Sequence, residues 1–183
     1  MLVVLGATGH TGSVVAQTLL THKQPVRVVV RSADHGATWA AKGAEVAVAS
    51  LDDQAALTKA LQGASGVYLL VPPNYGATSW LAEQRRRVDQ TAEAVKATRI
   101  AHVVLLSSIG AHLPEGTGPI RAARYGEHRL TAVAPNVTIL RPGYFMENWA
   151  NGIGMAKAEG LLPSFIPPKM SMPMISTRDI GRV

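Results

Sequence analysis

Three glycines near the start of the chain form the pattern best suited to ligand chemistry. Gly6, Gly9 and Gly12 stand at three-residue intervals directly after the apolar run Leu2–Leu5. The residues that follow have the apolar spacing of a helix. This order predicts a buried strand, a tight turn and a helix N-terminus, whose unpaired N–H groups and positive dipole end converge on one point. A phosphate or pyrophosphate fits there, because glycine lets the backbone approach it closely.

A second apolar run determines how the glycine pattern is interpreted. Val26–Val30 follows the predicted helix and is typical of a second buried strand. A glycine turn between two strands is the context in which such turns bind dinucleotides, whereas an isolated one also occurs for steric reasons alone. We therefore predict a dinucleotide site. Its phosphate-binding residues are expected to be Gly6, Thr8, Gly9, His10, Thr11 and Gly12.

The end of the second strand predicts which dinucleotide binds. Arg31 lies about twenty residues after the glycine turn, where NAD-binding folds carry an acidic residue for the ribose 2′-hydroxyl and an arginine instead pairs with a 2′-phosphate. Ser32 offers a further hydrogen bond. The pattern favours NADP as the cofactor, and NAD remains the alternative if Arg31 is only a surface residue at a strand end.

Residues at three other strand ends extend the predicted cofactor site. Asp52 follows the third strand and either accepts from the adenine amino group or, together with Asp53, caps the next helix. Val71 and Pro72 end the fourth strand, because proline turns the backbone away from the sheet. Ser107 ends the fifth strand, where its hydroxyl either faces the nicotinamide or caps the following turn.

The predicted substrate-contacting residues lie near the same end of the site. Ser108 directly follows Ser107, with the same two possible roles. Tyr144 and Phe145 belong to an aromatic, irregular stretch after the sixth strand. We expect these three residues to form the wall against which a small-molecule substrate binds.

Apolar runs alternate with helical segments along most of the chain. The strands are expected at Leu2–Leu5, Val26–Val30, Glu45–Val48, Val67–Val71, His102–Leu106 and Val137–Leu140, and the helices near 11–22, 37–42, 54–61, 79–98 and 119–133. Near-continuous Val and Leu runs are typical of strands that are buried on both faces. The predicted fold is therefore α/β, a doubly wound parallel sheet of the Rossmann type, with residues 1–150 forming the dinucleotide-binding domain.

The last part of the chain differs in composition. Leu161–Pro173 is rich in proline and methionine, and we expect a loop or lid there, either a capping subdomain or a substrate wall. Ser176 or Thr177 begins a final helix that stops after about two turns. Residues 151–183 are therefore expected to be the start of a small substrate-binding region in an incomplete chain.

Composition excludes several classes of function. The chain has 183 residues and no cysteine, which excludes disulfides, thiolate metal sites and cysteine nucleophiles. No His, Asp and Glu cluster has metal-ligand spacing, so no metal site is expected. The net charge is +6, but the one basic run, Arg85–Arg87, has acidic neighbours and predicts a solvated helix face rather than direct nucleic-acid binding. No apolar run approaches membrane-spanning length, and we expect a cytoplasmic monomer or homodimer.

Taken together, five motifs resemble the NmrA-like branch of atypical short-chain dehydrogenases/reductases. They are Gly6–Gly12, Arg31, Leu105–Ser108, Thr138–Pro142 and Phe145–Asn148. The resemblance covers the whole chain and extends to Ile175–Ile180, a segment that leads into further elements in that family. It implies an NAD(P)-binding Rossmann domain, found in redox-sensing regulators or in NAD(P)H-dependent reductases of quinones, azo dyes and similar acceptors. It also implies a structural role for Glu127 and Leu130.

The sequence lacks the acid/base pair of short-chain dehydrogenases, Tyr-x-x-x-Lys. None of the four tyrosines has lysine four residues later, and Tyr125 with Arg129 is the closest approach. A helix starting at Gly118–Pro119 puts Tyr125 about 9 Å along its axis, below the cofactor. Arg121 or Arg124, nearer the helix start, could instead meet a phosphate or ribose if it does not face solvent.

Two functions are compatible with this pattern. The first is an NADPH-dependent reductase that passes hydride directly to a quinone-like or other conjugated acceptor, which needs less proton assistance than a simple ketone. The second is a non-catalytic protein that senses NADP(H) and acts through a regulatory protein partner. The aromatic, methionine-rich wall favours the first function, and the missing tyrosine–lysine pair favours the second. The catalytic residues are not predicted.

Overall fold

Six short apolar runs pair into one parallel sheet in the computed structural model of the chain, which describes every residue except Tyr75 and Phe165. The strands are β1 (Leu2–Leu5), β2 (Val26–Val30), β3 (Glu45–Val48), β4 (Gly66–Leu69), β5 (His102–Leu106) and β6 (Asn136–Leu140). Their order in the sheet is β3-β2-β1-β4-β5-β6, and all neighbours are parallel. The order reverses between β1 and β4, which opens a crevice at the carboxyl ends of these strands.

Five helices cover the two faces of the sheet. They are α1 (His10–Thr21), α2 (Ala33–Ala41), α3 (Gln54–Leu61), α4 (Trp80–Thr98) and α5 (Ile120–Thr131). Successive residues of a strand point to opposite faces, so Val3 and Leu5 pack with α3, α4 and α5 while Val4 packs with α1 and α2. The predicted doubly wound α/β fold is confirmed.

Several element boundaries differ from those predicted, most of them by one or two residues, and two of the differences have a clear physical reason. β4 ends at Leu69 rather than Val71, because Val71 precedes Pro72 and Pro73 and neither proline can donate to a strand ladder. α2 begins at Ala33, four residues before the predicted start. Gly36 obscured that start in the sequence, but it is buried in the helix, and a Cβ on it would lie 2.3 Å from Val46 Cγ1. The glycine thus lets α2 pack closely on β3.

Smaller elements follow the main sheet. They are β7 (Tyr144–Phe145), a 3₁₀ helix (Met146–Gly152), α6 (Ile153–Glu159), β8 (Met174–Ile175) and α7 (Thr177–Ile180). β7 and β8 pair in parallel as a separate two-stranded sheet. The predicted final helix is present, and the Ser176 side chain caps it by accepting from the Asp179 N–H. The predicted segment Leu161–Pro173 includes Phe165, which lies outside the described residues.

α7 is held by both α1 and the 3₁₀ helix. A Cβ on Gly181 would lie 2.5 Å from Val14 Cβ, so the end of α7 packs closely on α1. Glu147 Oε1 accepts from the backbone N–H and the hydroxyl of Thr177, both at 2.9 Å. Burial raises the pKa of Glu147, but hydrogen bonds from its own backbone and from Thr177 outweigh that effect and hold the pKa below its usual value. The carboxylate is therefore charged at the positive end of α7.

Candidate functional site

The glycine turn after β1 forms an anion cradle. Gly6 has a φ of +69°, a conformation that favours glycine, and its carbonyl accepts from the Gly9 N–H at 2.9 Å. Gly9 is the N-cap of α1 in extended backbone, without a side-chain cap, and the first turn of α1 carries no acidic residue. The backbone N–H groups at this helix end are therefore available to a negatively charged ligand.

Gly12 and Gly9 serve two different purposes in the cradle. A Cβ on Gly12 would lie 2.4 Å from the Gly6 carbonyl oxygen and 2.7 Å from that of Leu5. Gly12 therefore allows α1 to pack directly on the end of β1. Gly9 lines the cradle and leaves its surface open to a ligand. These residues fit the pyrophosphate of a dinucleotide, which needs both the close helix packing and the open surface.

The cradle opens into a cavity of about 1850 Å³ at the carboxyl edge of the sheet. A pocket for one drug-sized ligand typically measures about 300–1,000 Å³, so this cavity has room for a dinucleotide and a second molecule. It is lined by all but two of the residues predicted to bind cofactor or substrate, namely Gly6, Thr8, Gly9, His10, Thr11, Arg31, Asp52, Val71, Pro72, Ser107, Ser108, Tyr144 and Phe145. Gly12 and Ser32 do not line it.

Arg31 and Ser32 have different surroundings. Arg31 is exposed at the end of β2 and lines the cavity. Ser32 instead starts α2, and its hydroxyl is 3.0 Å from His35 Nδ1. The Ser32 hydroxyl is thus bonded within its own helix, and its assistance to Arg31 stays a prediction.

Asp52 is held by two arginines of α4. Arg87 donates to both carboxylate oxygens, from Nε at 3.0 Å and from Nη2 at 2.9 Å, and Arg86 Nη2 donates to Oδ1. The Arg87 hydrogen bonds, opposed by partial burial and assisted by Arg86, lower the pKa of Asp52 to about 2. The helix cap is Asp53, which accepts from the Ala56 N–H at 2.9 Å. Both Asp52 oxygens are thus already engaged, and an adenine amino group would have to share them.

The arginine run of α4 is not uniformly solvated, contrary to the expectation for Arg85–Arg87. The Arg87 side chain is only 17% exposed, pairs with Asp52 and Glu83, and lines the cavity. The physical reason is that α4 packs beside α3, which brings Arg87 against the loop that carries Asp52. Arg85 lies over the ring of Tyr125 at 5.3 Å.

Ser107 takes part in a buried network at the end of β5. Its hydroxyl donates to Glu127 Oε1, and Arg141 donates to both Glu127 oxygens, from Nε at 2.9 Å and from Nη2 at 2.6 Å. Burial raises the pKa of Glu127, but the hydrogen bonds from Arg141 and Ser107 outweigh it and lower the pKa below its usual value. The Ser108 hydroxyl donates locally, to the Ile109 carbonyl at 3.2 Å. The expectation that Ser107 caps a turn is therefore wrong.

The far end of the cavity has an aromatic wall. The rings of Tyr144 and Trp149 meet edge to face with their centroids 5.8 Å apart, and Phe145 lies between them in the chain. The Tyr144 N–H donates to the Pro173 carbonyl at 2.9 Å, which ties β7 to the segment before β8. Met172, from that segment, also lines the cavity. The wall presents an apolar surface to any flat ligand that reaches it.

Tyr125 and the basic residues of α5 lie away from this cavity. The Tyr125 hydroxyl donates to Asp89 at 2.9 Å, and Arg129 Nε donates to the same carboxylate at 2.6 Å. Burial, and then the Asp89 carboxylate, raise the pKa of Tyr125, the opposite of what an acid/base tyrosine requires. Arg124 does not line the cavity, and its guanidinium donates to the carbonyls of Ala111 and His112.

Comparison with known proteins identifies the family. The model of a family described as NAD(P)H-binding matches residues 6–182, nearly the whole chain.

The chain belongs to the NAD(P)H-binding family.

Proteins similar to this NAD(P)H-binding chain include two reductases and one solved structure. Quinone oxidoreductase 2 of Escherichia coli is 31% identical over 88% of this chain and 54% of its own length. The NAD(P)H azoreductase of Xenophilus azovorans is 28% identical over 81% of this chain and 49% of its own length. The crystal structure of Citrobacter sp. triphenylmethane reductase with NADP(H) shares the fold, with a TM-score of 0.83 and 19% identity over 99% of this chain and 62% of that one.

This NAD(P)H-binding chain spans about half the length of the two reductases, with 54% and 49% of them covered. Among the described residues, no helix is long and apolar enough to cross a membrane. No group of three His, Asp or Glu side chains in the described part of the chain is placed to hold a metal ion.

Two side chains that hold residues of the candidate site were not predicted from the sequence. Arg87 was expected to face solvent, and Glu127 was assigned only a structural role through the family resemblance. Both act through partners more than twelve residues away, since Arg87 and Asp52 are 35 positions apart and Glu127 and Ser107 are 20 apart. The Leu-Arg-Pro segment gave a partial signal, because it places Arg141 at the end of β6, where the guanidinium can pair with a carboxylate of a neighbouring helix.

Proposed function

We propose that the chain forms part of an NADPH-dependent reductase that transfers hydride directly to a quinone-like or other conjugated acceptor. The observation that supports this most is that one continuous cavity of about 1850 Å³ runs from the glycine cradle to the aromatic wall. One end offers backbone N–H groups to phosphates, and the other offers flat apolar surface. A cavity with both ends suits a dinucleotide placed beside an aromatic acceptor.

The residues that would hold NADPH are divided along the sheet. Gly6, Gly9 and the first turn of α1 would bind the pyrophosphate, and Arg31 would pair with the 2′-phosphate. Ser107 lies past the switch point, on the side of β4 and β5, where the nicotinamide would lie. Bound NADPH supplies the hydride. The preference for NADPH over NADH is supported by Arg31, which is exposed at the cavity and forms no ion pair among the described residues.

The acceptor end is supported by the aromatic wall and by the similar proteins. Tyr144, Phe145 and Trp149 would stack against a planar ring system and keep water from it. The azoreductase and quinone oxidoreductase that resemble this chain act on acceptors of that class by their names. Conjugated acceptors do not require a tyrosine acid/base, which is consistent with Tyr125 lying outside the cavity.

The finer classification is also a proposal. The Gly6–Gly12, Leu105–Ser108 and Thr138–Pro142 motifs support the NmrA-like branch of atypical short-chain dehydrogenases/reductases. Residues 1–150 would form the cofactor domain and residues 151–183 the start of the substrate-binding region. Gly152, Pro163 and Met172 support that division, because they line the cavity from the later segment.

The experiment is to measure NADPH oxidation with a panel of quinones and azo dyes, using wild type and Phe145→Ala. We expect turnover with at least one acceptor, and a raised acceptor KM with little change in the NADPH KM for Phe145→Ala, because Phe145 lines the acceptor end. Met146→Ala is the matched control, since Met146 is 52% exposed and does not line the cavity. Tight NADPH binding with no oxidation across the panel would overturn the reductase and favour the NADP(H)-sensing alternative.

A further inference from the structure

The hydroxyl of Ser107 has only one hydrogen to donate, and the structure shows where it goes. Ser107 lines the cavity, whereas its hydrogen-bond partner Glu127 lies behind it on α5 and does not. A serine hydroxyl has one donor and two acceptor lone pairs. With the hydrogen directed at Glu127, the lone pairs are what Ser107 can offer to the cavity.

Glu127 acts as a fixed acceptor in this pair. Its residue exposure is 6%, and Arg141 donates to both of its oxygens. Arg141 neutralises the buried carboxylate and keeps it ionised, and an ionised carboxylate can only accept. Ser107 must therefore be the donor toward Glu127, and its hydroxyl cannot rotate toward the cavity without leaving a buried carboxylate oxygen with one partner fewer.

The backbone around Ser107 is fixed as well. The Ser107 N–H donates to the Leu140 carbonyl at 2.7 Å, and the Ile109 N–H donates to the Pro142 carbonyl at 2.9 Å. The segment that follows β5 is thus bonded to the last residue of β6 and to Pro142, on either side of Arg141 in the chain. Side chain and backbone hold Ser107 in one orientation, with 8% of its surface exposed.

We propose that Ser107 is a cofactor-positioning residue whose hydroxyl acts toward the cavity only as a hydrogen-bond acceptor. Glu127 sets the direction of the hydroxyl, and the Ser107 oxygen accepts a hydrogen bond from the N–H of the nicotinamide carboxamide. This inference rests on the proposed function, because it assumes a nicotinamide at this end of the cavity. It also states what Ser107 does not do. The carbonyl of a quinone substrate finds no hydrogen-bond donor at Ser107, so this residue orients the cofactor and does not protonate the substrate.

The test compares the binding of two cofactors that differ at one group. In 3-acetylpyridine adenine dinucleotide phosphate, a methyl group replaces the carboxamide NH₂, so the N–H donor is absent while the carbonyl remains. We expect wild type to bind NADP about three- to tenfold more tightly than this analogue, the range for one neutral hydrogen bond. Ser107→Ala should bring the affinity ratio close to one. Ser65→Ala is the matched control, because Ser65 bonds to the Met1 carbonyl at the opposite edge of the sheet.

The role of Glu127 is tested by Glu127→Met, which keeps the volume similar but replaces the carboxylate with a thioether, a much weaker acceptor. The Ser107 hydroxyl is then free to rotate and to donate into the cavity while it keeps its acceptor lone pairs, so we expect the ratio to fall below the wild-type value and to stay above that of Ser107→Ala. Arg141 is 42% exposed along its side chain, so water can solvate it in this variant. Glu127→Leu provides a second apolar shape, and thermal melting confirms which variant folds. A folded variant that keeps the wild-type ratio would show that Glu127 does not set the direction.

The remaining outcomes separate this inference from the proposed function. A wild-type ratio near one, or a ratio unchanged by Ser107→Ala, overturns the acceptor role of Ser107 even if NADPH is oxidised normally. If Ser107→Ala weakens only the binding of a hydroquinone to the NADP complex and leaves the ratio of the two cofactor affinities unchanged, the carboxamide assignment is overturned. Absence of quinone or azo reduction overturns the reductase alone, because both cofactor affinities are measured without an acceptor. Failure to bind NADP overturns both.

Discussion

Gly12→Ala tests whether the packing of α1 on β1 builds the cofactor cradle. The added Cβ would lie 2.4 Å from the Gly6 carbonyl oxygen, 2.6 Å from the Gly6 carbonyl carbon and 2.7 Å from the Leu5 carbonyl oxygen. All three atoms are backbone, so no flexible side chain can move aside. Relieving the closest contact to 3.0 Å requires α1 to shift by about 0.6 Å.

The expected cost follows from that clash. Overpacking typically costs about 1–3 kcal/mol, and contact with backbone places this case at the upper end. Alanine regains about 1 kcal/mol of helix propensity over glycine, which leaves a net loss of about 2 kcal/mol. For a domain of this size that corresponds to a melting temperature lower by roughly 4–8 °C. The displaced helix should also bind NADPH about tenfold more weakly, because charge-assisted N–H bonds to phosphate lengthen.

The assay is thermal melting together with an NADPH titration. Gly154→Ala is the matched control, since among the described residues outside its own helix backbone no atom lies within 4 Å of a Cβ added at Gly154 in α6, and this variant should melt at or above the wild-type temperature. The reasoning is refuted if Gly12→Ala melts like Gly154→Ala, because the measured contacts would then impose no cost. Normal NADPH affinity in a destabilised Gly12→Ala would refute the link between helix position and the cradle.

Two further predictions concern the Asp52 ion pair and the Tyr125 hydroxyl. The pKa of Asp52 is about 2 in the folded protein against an ordinary 3.8, so between these values only the unfolded chain takes up the proton, and the stability that this ion pair contributes should be lost as pH falls through that window. In denaturant unfolding, the gap between wild type and Asp52→Asn should therefore be present at about pH 6 and smaller at about pH 3; a gap that grows on acidification would contradict the assignment. Tyr125→Phe should keep the wild-type rate of NADPH oxidation, because the Tyr125 hydroxyl binds Asp89 outside the cavity. A large fall in rate without a fall in melting temperature would instead restore Tyr125 as the acid/base.

The order of the elements was predictable from local pattern. Gly6, Gly9 and Gly12 follow a run of apolar residues and precede a helix, and each of these features depends only on neighbours in the chain. Near-continuous Val and Leu runs indicated parallel strands, and the rules for right-handed crossovers then left few possible arrangements. The residues placed at the ends of the strands consequently meet around one cavity, with Arg31 and Tyr144 among them.

The pairing of polar side chains was not predictable in the same way. Asp52 was expected to meet adenine or cap a helix, but it meets Arg87, because α3 and α4 pack side by side at a register that no local pattern encodes. Ser107 was expected to present its hydroxyl to the nicotinamide or to a turn, but its hydrogen goes to Glu127 on a helix that starts thirteen residues later. In both cases, the hydrogen-bond partner depends on tertiary packing between segments that are distant in the chain.

The most direct test of the account is the affinity ratio between NADPH and NADH in wild type and in Arg31→Glu, measured by calorimetry. Arg121→Glu is the matched control, since Arg121 is an exposed arginine of α5 that does not line the cavity. Wild type should bind NADPH about tenfold or more tightly than NADH, because a charge-assisted contact to the 2′-phosphate contributes that much. Arg31→Glu should remove or reverse this preference, and Arg121→Glu should keep it. An unchanged ratio in Arg31→Glu would contradict the placement of the cofactor.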